Sequence, residues 1–167
     1  QEWSKVKGRF KEITFNEPIE QLLYLSAESL SGKNQIIDAS NPVFDLELRL
    51  LQDSKAFNLN LDYARNIAFK LFPLDLISAN VLTLSLQKYG QNERSLFTFL
   101  ESEDFRSNHD SNDFYHLGKV YDYLIYNFYS SLNSRFNPDF ALWVSIKNAL
   151  ESIEVKWFDN LEDGRKL

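Results

Sequence analysis

This sequence predicts a mainly α-helical chain: a multi-helix bundle with one short β-strand near the N-terminus. Three observations carry the prediction. Glu17-Pro18, Asn41-Pro42 and Asn137-Pro138-Asp139 each precede apolar residues spaced at three and four, the pattern of an amphipathic helix behind a start signal. Glycines fall where such segments stop, at Gly32 and Gly90. Strand-like alternation is confined to Ile13 and Phe15.

The elements follow in order. The segment Gly8-Arg9-Phe10-Lys11-Glu12-Ile13-Thr14-Phe15-Asn16-Glu17-Pro18 reads as a tight loop carrying an arginine, then the short strand, then a helix opened by proline. The first helix, about 18–30, sets Ile19, Leu22, Leu23, Ala27 and Leu30 on one face and ends at Ser31-Gly32. A second, about 42–53, aligns Val43, Leu46 and Leu50, with Leu48 and Leu51 widening the stripe. Residues 61–72 are helical until Pro73 interrupts them. A strong helix over about 74–89 carries Ile77, Val81 and Leu84 and closes at Gly90. Asn92 caps a short helix with Arg94 in its first turn and Leu96, Phe97 and Leu100 pointing inward. Residues 101–113 hold five acidic side chains, three serines, two asparagines and no aliphatic, and read as a solvated polar loop. Helices over about 114–132 (Leu117, Val120, Tyr121, Leu124, Phe128, Leu132) and 139–153 (Trp143, Ile146, Leu150, Ile153) complete the chain, their apolar faces serving as core or inter-helix contact.

Composition narrows the function. With 167 residues, 44% apolar, and 14 Phe, 8 Tyr and 3 Trp, the chain has enough large rings for a true core and is not a disordered tail. A net charge of −6 argues against a dedicated nucleic-acid binder, which needs a basic stripe to neutralise phosphates. The absence of cysteine excludes disulfides and thiolate metal sites and fits a reducing, cytoplasmic setting. No apolar run approaches the ~18 residues of a membrane span, and no signal peptide opens the chain. The chain starts at Gln1 and contains no methionine, so both ends are expected to be cuts from a longer protein.

Few residues have the spacing of a chemical site. Gly32-Lys33 is not a phosphate loop, because Ala27 stands where its first glycine belongs and Asn34 where Ser or Thr belongs. His109 and His116 flank Asp110 and Asp113, but nothing in their spacing builds a metal shell, and no metal is expected. Arg9 and Arg94 remain: an arginine fixed just before a core strand is placed to reach a phosphate in a neighbouring subunit, and Arg94 stands in a helix's first turn.

Two blocks in order sharpen that reading. Glu2-Trp3-Ser4-Lys5-Val6-Lys7-Gly8-Arg9-Phe10 leads into Pro18-Ile19-Glu20-Gln21-Leu22-Leu23. Gln91-Asn92-Glu93-Arg94-Ser95-Leu96-Phe97-Thr98-Phe99-Leu100 follows the leucine-rich Leu82-Thr83-Leu84-Ser85-Leu86. The order resembles large bacterial AAA+/STAND-type P-loop ATPases of the kind found in defence-related loci, over residues 2–30 and about 71–130. The resemblance implies that residues 1–16 end an α/β ATPase core, 17–100 form a helical lid-like region, 101–113 the acidic loop and 114–167 a further helical region. It implies Arg9 as a candidate arginine finger acting across a subunit interface and Arg94 as a candidate lid sensor of bound nucleotide. ATP and Mg²⁺ would belong to the parent protein, and this piece would hold no cofactor and not hydrolyse ATP alone. Its partners would be the rest of its own polypeptide and, through the ATPase module, further copies of the parent. The sequence departs from the family at Lys7, where a second arginine is frequent, and Arg94 has Glu93 and Glu101 as rival partners. The alternative is a helical protein-interaction module with no nucleotide role, presenting its aromatics to a partner.

Overall fold

The computed structural model describes residues 18–31, 42–55, 57, 59–91, 93–110 and 113–157. Among them are eight α-helices: α1 (Ile19–Leu30), α2 (Pro42–Ser54), α3 (Leu61–Ile67), α4 (Leu76–Tyr89), α5 (Glu93–Leu100), α6 (Glu103–Asp110), α7 (Leu117–Leu132) and α8 (Phe140–Trp157). The expected strand around Ile13 and Phe15 lies outside the described residues. Within them, β pairing is limited to one parallel bridge between Leu74 and Tyr115, closed by the Tyr115 amide on the Pro73 carbonyl at 2.7 Å.

Local chemistry sets most helix starts. Pro18 is the N-cap of α1, where its missing N–H costs no hydrogen bond. Asn60 caps α3 by accepting from the amides of Asp62 and Tyr63 at 2.9 and 3.1 Å. Asp75 caps α4 by accepting from the Ser78 amide at 2.6 Å. The 61–72 helix is shorter than the sequence predicts. It ends at Ile67 and tightens into a 3₁₀ turn, Ala68–Lys70, ahead of a cis Phe72-Pro73 peptide.

α4 is the hub, packing against α1, α2, α5 and α7. It is sheathed on several sides, so Leu76, Ala79, Leu82 and Leu86 are buried and even Ser78, Asn80 and Thr83 lie inside. Asn80 and Thr83 spend donors on carbonyls one turn back, of Leu76 and Ala79, which lowers the cost of burying them. α3 is tied to α1 by the Tyr63 hydroxyl, which donates to the Glu20 carbonyl at 2.6 Å.

Three sequence expectations are corrected here. Residues 101–113 are not simply a loop, because α6 occupies Glu103–Asp110. Ser102 accepts from the Phe105 amide, acidic residues fill the first turn, and Phe105 is 1% exposed, so one buried ring anchors an otherwise polar helix. On α2 the buried face is Phe44, Glu47, Leu48 and Leu51, while Leu46 and Leu50 are exposed. That helix has leucines nearly all round, and the buried acid at Glu47 hid the true face. On α5 the inward residues are Leu96, Phe99 and Leu100, and Phe97 points out.

Candidate functional site

The segment 90–100 joins α4 to α5, and its residues divide into two groups. Gly90, Ser95, Leu96, Phe99 and Leu100 have packing or capping duties. The Ser95 hydroxyl accepts from the Gln91 amide at 2.8 Å and sits where a Cβ on Gly90 would lie, 2.7 Å away, with the Leu86 carbonyl oxygen at 2.8 Å. Gly90 is extended rather than left-handed, so it is required here for space and not for its backbone angles. Leu96 and Phe99 are wholly buried.

Gly90→Ala is therefore expected to cost about 1–3 kcal/mol, because a fixed carbonyl and a capping hydroxyl must both move for one methyl. Urea unfolding followed by circular dichroism measures this. A change within about 0.5 kcal/mol, the scatter of ordinary surface substitutions, would show that the joint is not tightly packed.

The second group has no such duty. Arg94 and Phe97 are three apart on one helix face, both exposed, with Thr98 and Glu101 beside them. Neither rival acid holds Arg94: Glu101 pairs with Arg106, and no ion pair joins Arg94 to Glu93 among the described residues. The backbone of Arg94 is fixed, its amide on the Gln91 carbonyl at 3.2 Å and its carbonyl accepting from the Thr98 hydroxyl at 2.8 Å. The result is a guanidinium on a fixed helix backbone, facing solvent and able to meet a carboxylate or phosphate bidentately. Arg9, the other candidate, lies outside the described residues, so its placement relative to Arg94 is not part of this site.

His116 is drawn into a cluster that sequence spacing did not reveal. Its Nδ1 lies 3.3 Å from Asp75 Oδ2, and Asp75 in turn is hydrogen-bonded to Glu47, whose Oε2 accepts the Leu76 amide at 3.2 Å. Glu47 and Asp75 are 5% and 7% exposed. Burial first, and then the neighbouring Asp75 carboxylate, push Glu47 up to about 8. The only sequence hint was Asp75 ahead of an apolar helix, since nothing marks Glu47 as its partner across 28 residues. The His109 side chain lies outside the described set, and no group of three His, Cys, Asp or Glu among the described residues could hold a metal ion.

A second fixed polar chain lies at the far end of α4. Trp143 Nε1 donates to the Tyr89 hydroxyl at 3.0 Å, Tyr89 donates to Asp139 Oδ2 at 2.8 Å, and Lys88 pairs with the same carboxylate. No helix among the described residues is long and apolar enough to cross a membrane. No family model, curated protein or solved structure matches the chain.

Proposed function

We propose that this chain is the helical, lid-side portion of a bacterial AAA+/STAND-type ATPase, coupling ATP binding and hydrolysis in the parent to movement of the helices against the α/β core. The observation that carries the reading is the division of the 90–100 segment. Packing accounts for Gly90, Ser95, Leu96, Phe99 and Leu100 but leaves Arg94 and Phe97 displayed on a rigid face. An always-charged guanidinium on a fixed helix backbone suits a nucleotide sensor, because its planar fork matches phosphate oxygens. Arg9 keeps its proposed finger role on the strength of the resemblance alone. The parent would use ATP and Mg²⁺, act in the cytoplasm and self-associate through its ATPase module.

The test is the parent protein itself. A GxxxxGKS/T loop and an adjacent acidic pair are expected upstream within the span of a typical domain. In that protein Arg94→Ala is expected to lower ATP turnover at least about tenfold, as loss of one charge-assisted contact worth ~1.5–3 kcal/mol requires. The urea midpoint should not move, since Arg94 is exposed. Unchanged turnover in a folded variant, or an upstream region with no phosphate loop, would overturn the assignment.

That second outcome would favour the interaction-module reading, which has its own observation. Leu142, Ile146 and Ile153 are 61%, 40% and 47% exposed along one side of α8, and Tyr126 and Phe136 are exposed as well.

A further inference from the structure

We propose that Glu47, Asp75 and His116 form a proton-operated latch that clasps α2 to the start of α4 and opens as the buried pair loses its shared proton. Three separate segments meet at this point: α2 brings Glu47, the N-cap of α4 brings Asp75, and the residue before α7 brings His116. Two carboxyls buried side by side at one helix start favour holding a proton over carrying two charges. Glu47 Oε2 accepts the Leu76 N–H at 3.2 Å, the Ile77 N–H also serves this carboxyl, and Asp75 stands hydrogen-bonded beside it. Asp75 Oδ1 accepts the Ser78 N–H at 2.6 Å and Oδ2 lies 3.3 Å from His116 Nδ1, so both of its oxygens are engaged.

The cluster also has an entrance. Glu47 and Asp75 are shut in, while the His116 side chain is 70% exposed and joins them to solvent. Among titratable groups, Asp75 acts on Glu47 directly and His116 acts through Asp75; against His116 stands an aromatic wall, Phe114 packed on Phe44 and Phe72. Loss of the shared proton would leave two buried anions side by side behind that wall. Unlatching relieves the repulsion by hydrating Glu47, and α2 is the element that carries it away.

The sign follows from Glu47. Its folded value of about 8 lies above its ordinary 4.5, so closed latches hold a proton that open ones release between those values. The clasp is complete below the ordinary value, weakens as pH rises, and has lost this contribution above about 8.

Amide exchange of the full chain, corrected for the intrinsic rate, tests the latch. Protection in α2 is expected to fall between pH 6 and pH 8.5 by at least about tenfold, against a ceiling of ~tenfold per pH unit for one coupled proton. Protection in α5 should stay level. Glu47→Gln mimics the protonated acid and should make α2 protection independent of pH. Asp75→Asn keeps an N-cap and removes the neighbouring charge, so the fall in α2 protection should shrink and level off at lower pH, and this arm decides the matter if the Gln variant does not fold. A purely structural cap would weaken α2 equally at every pH. Level α2 protection in the wild type, or an undiminished fall with pH in Asp75→Asn, overturns the latch.

Discussion

Phe99→Ala is expected to remove about 3–5 kcal/mol of stability, a large share of the ~5–15 kcal/mol that a domain typically possesses. Phe99 is fully buried and sits among three rings at once: Phe105 at 4.8 Å, Tyr115 at 5.4 Å and Tyr123 at 4.7 Å between centroids. The Tyr115 and Tyr123 contacts are edge-to-face, the geometry in which aromatic pairs add to their area of burial. Phe105 and Tyr115 also touch each other, so the hole cannot be closed by one neighbour moving alone. Collapse is blocked further because the Tyr115 hydroxyl donates to Asp104 at 2.5 Å, and burial holds that hydroxyl in its protonated form. One ring thus fastens α5, α6 and the start of α7 together. Urea unfolding by circular dichroism should show a midpoint lowered by a third or more, in proportion to the free energy lost. Phe99→Leu should recover part of the loss by filling some of the volume. A loss below about 1 kcal/mol for the alanine variant would mean the ring cluster is not the centre of the core.

Phe99 also shows where sequence reading succeeds and where it stops. Start and stop signals are local chemistry, and several were legible: Pro18 opens α1, Asn137 accepts the Asp139 amide just before α8, and α4 closes at Gly90, whereas the caps at Asn60 and Asp75 went unread. Helix faces are not local. The segment 96–100 is apolar at four of five positions, so spacing alone could not choose between Phe97 and Phe99; the choice belongs to Phe105 and Tyr115, brought in by elements that follow. The same ambiguity turned α2, where a reader places an acid outside and the structure buries Glu47 against Asp75. α6 was missed because one ring among thirteen polar-rich residues gives no periodicity, although Ser102 and the acids after it are a helix start. Of the candidate site, the position of Arg94 in a first turn was legible. Its outward display beside Phe97 was not, since that depends on which face the core claims.

Trp143→Ala is expected to free α8 while leaving the rest of the bundle folded. α8 is held mainly by its first turn. Trp143 stacks on Tyr121 and meets Tyr89 edge-on, and its indole N–H is fixed by Tyr89, itself bound to Asp139. Further along, the fit loosens. A cavity of about 270 Å³ lies among Val81, Leu117, Leu124, Ile146 and Leu150, and by Ile153 the helix is 47% exposed. Trp143 is only partly buried, so its loss should cost about 2–3 kcal/mol, below the ~3–5 kcal/mol of a fully buried aromatic. That is still enough to undock α8, because an undocked helix of 18 residues is marginal in water. Amide exchange should therefore report loss of protection across α8, by about 30-fold or more, with α4 and α5 nearly unchanged. Tyr89→Phe removes both hydrogen bonds but keeps the ring, and should cost about 1–2 kcal/mol in the same segment. If both variants instead lower protection evenly through α4 and α7, α8 is part of the cooperative core and its apolar outer side is not an independently docked element.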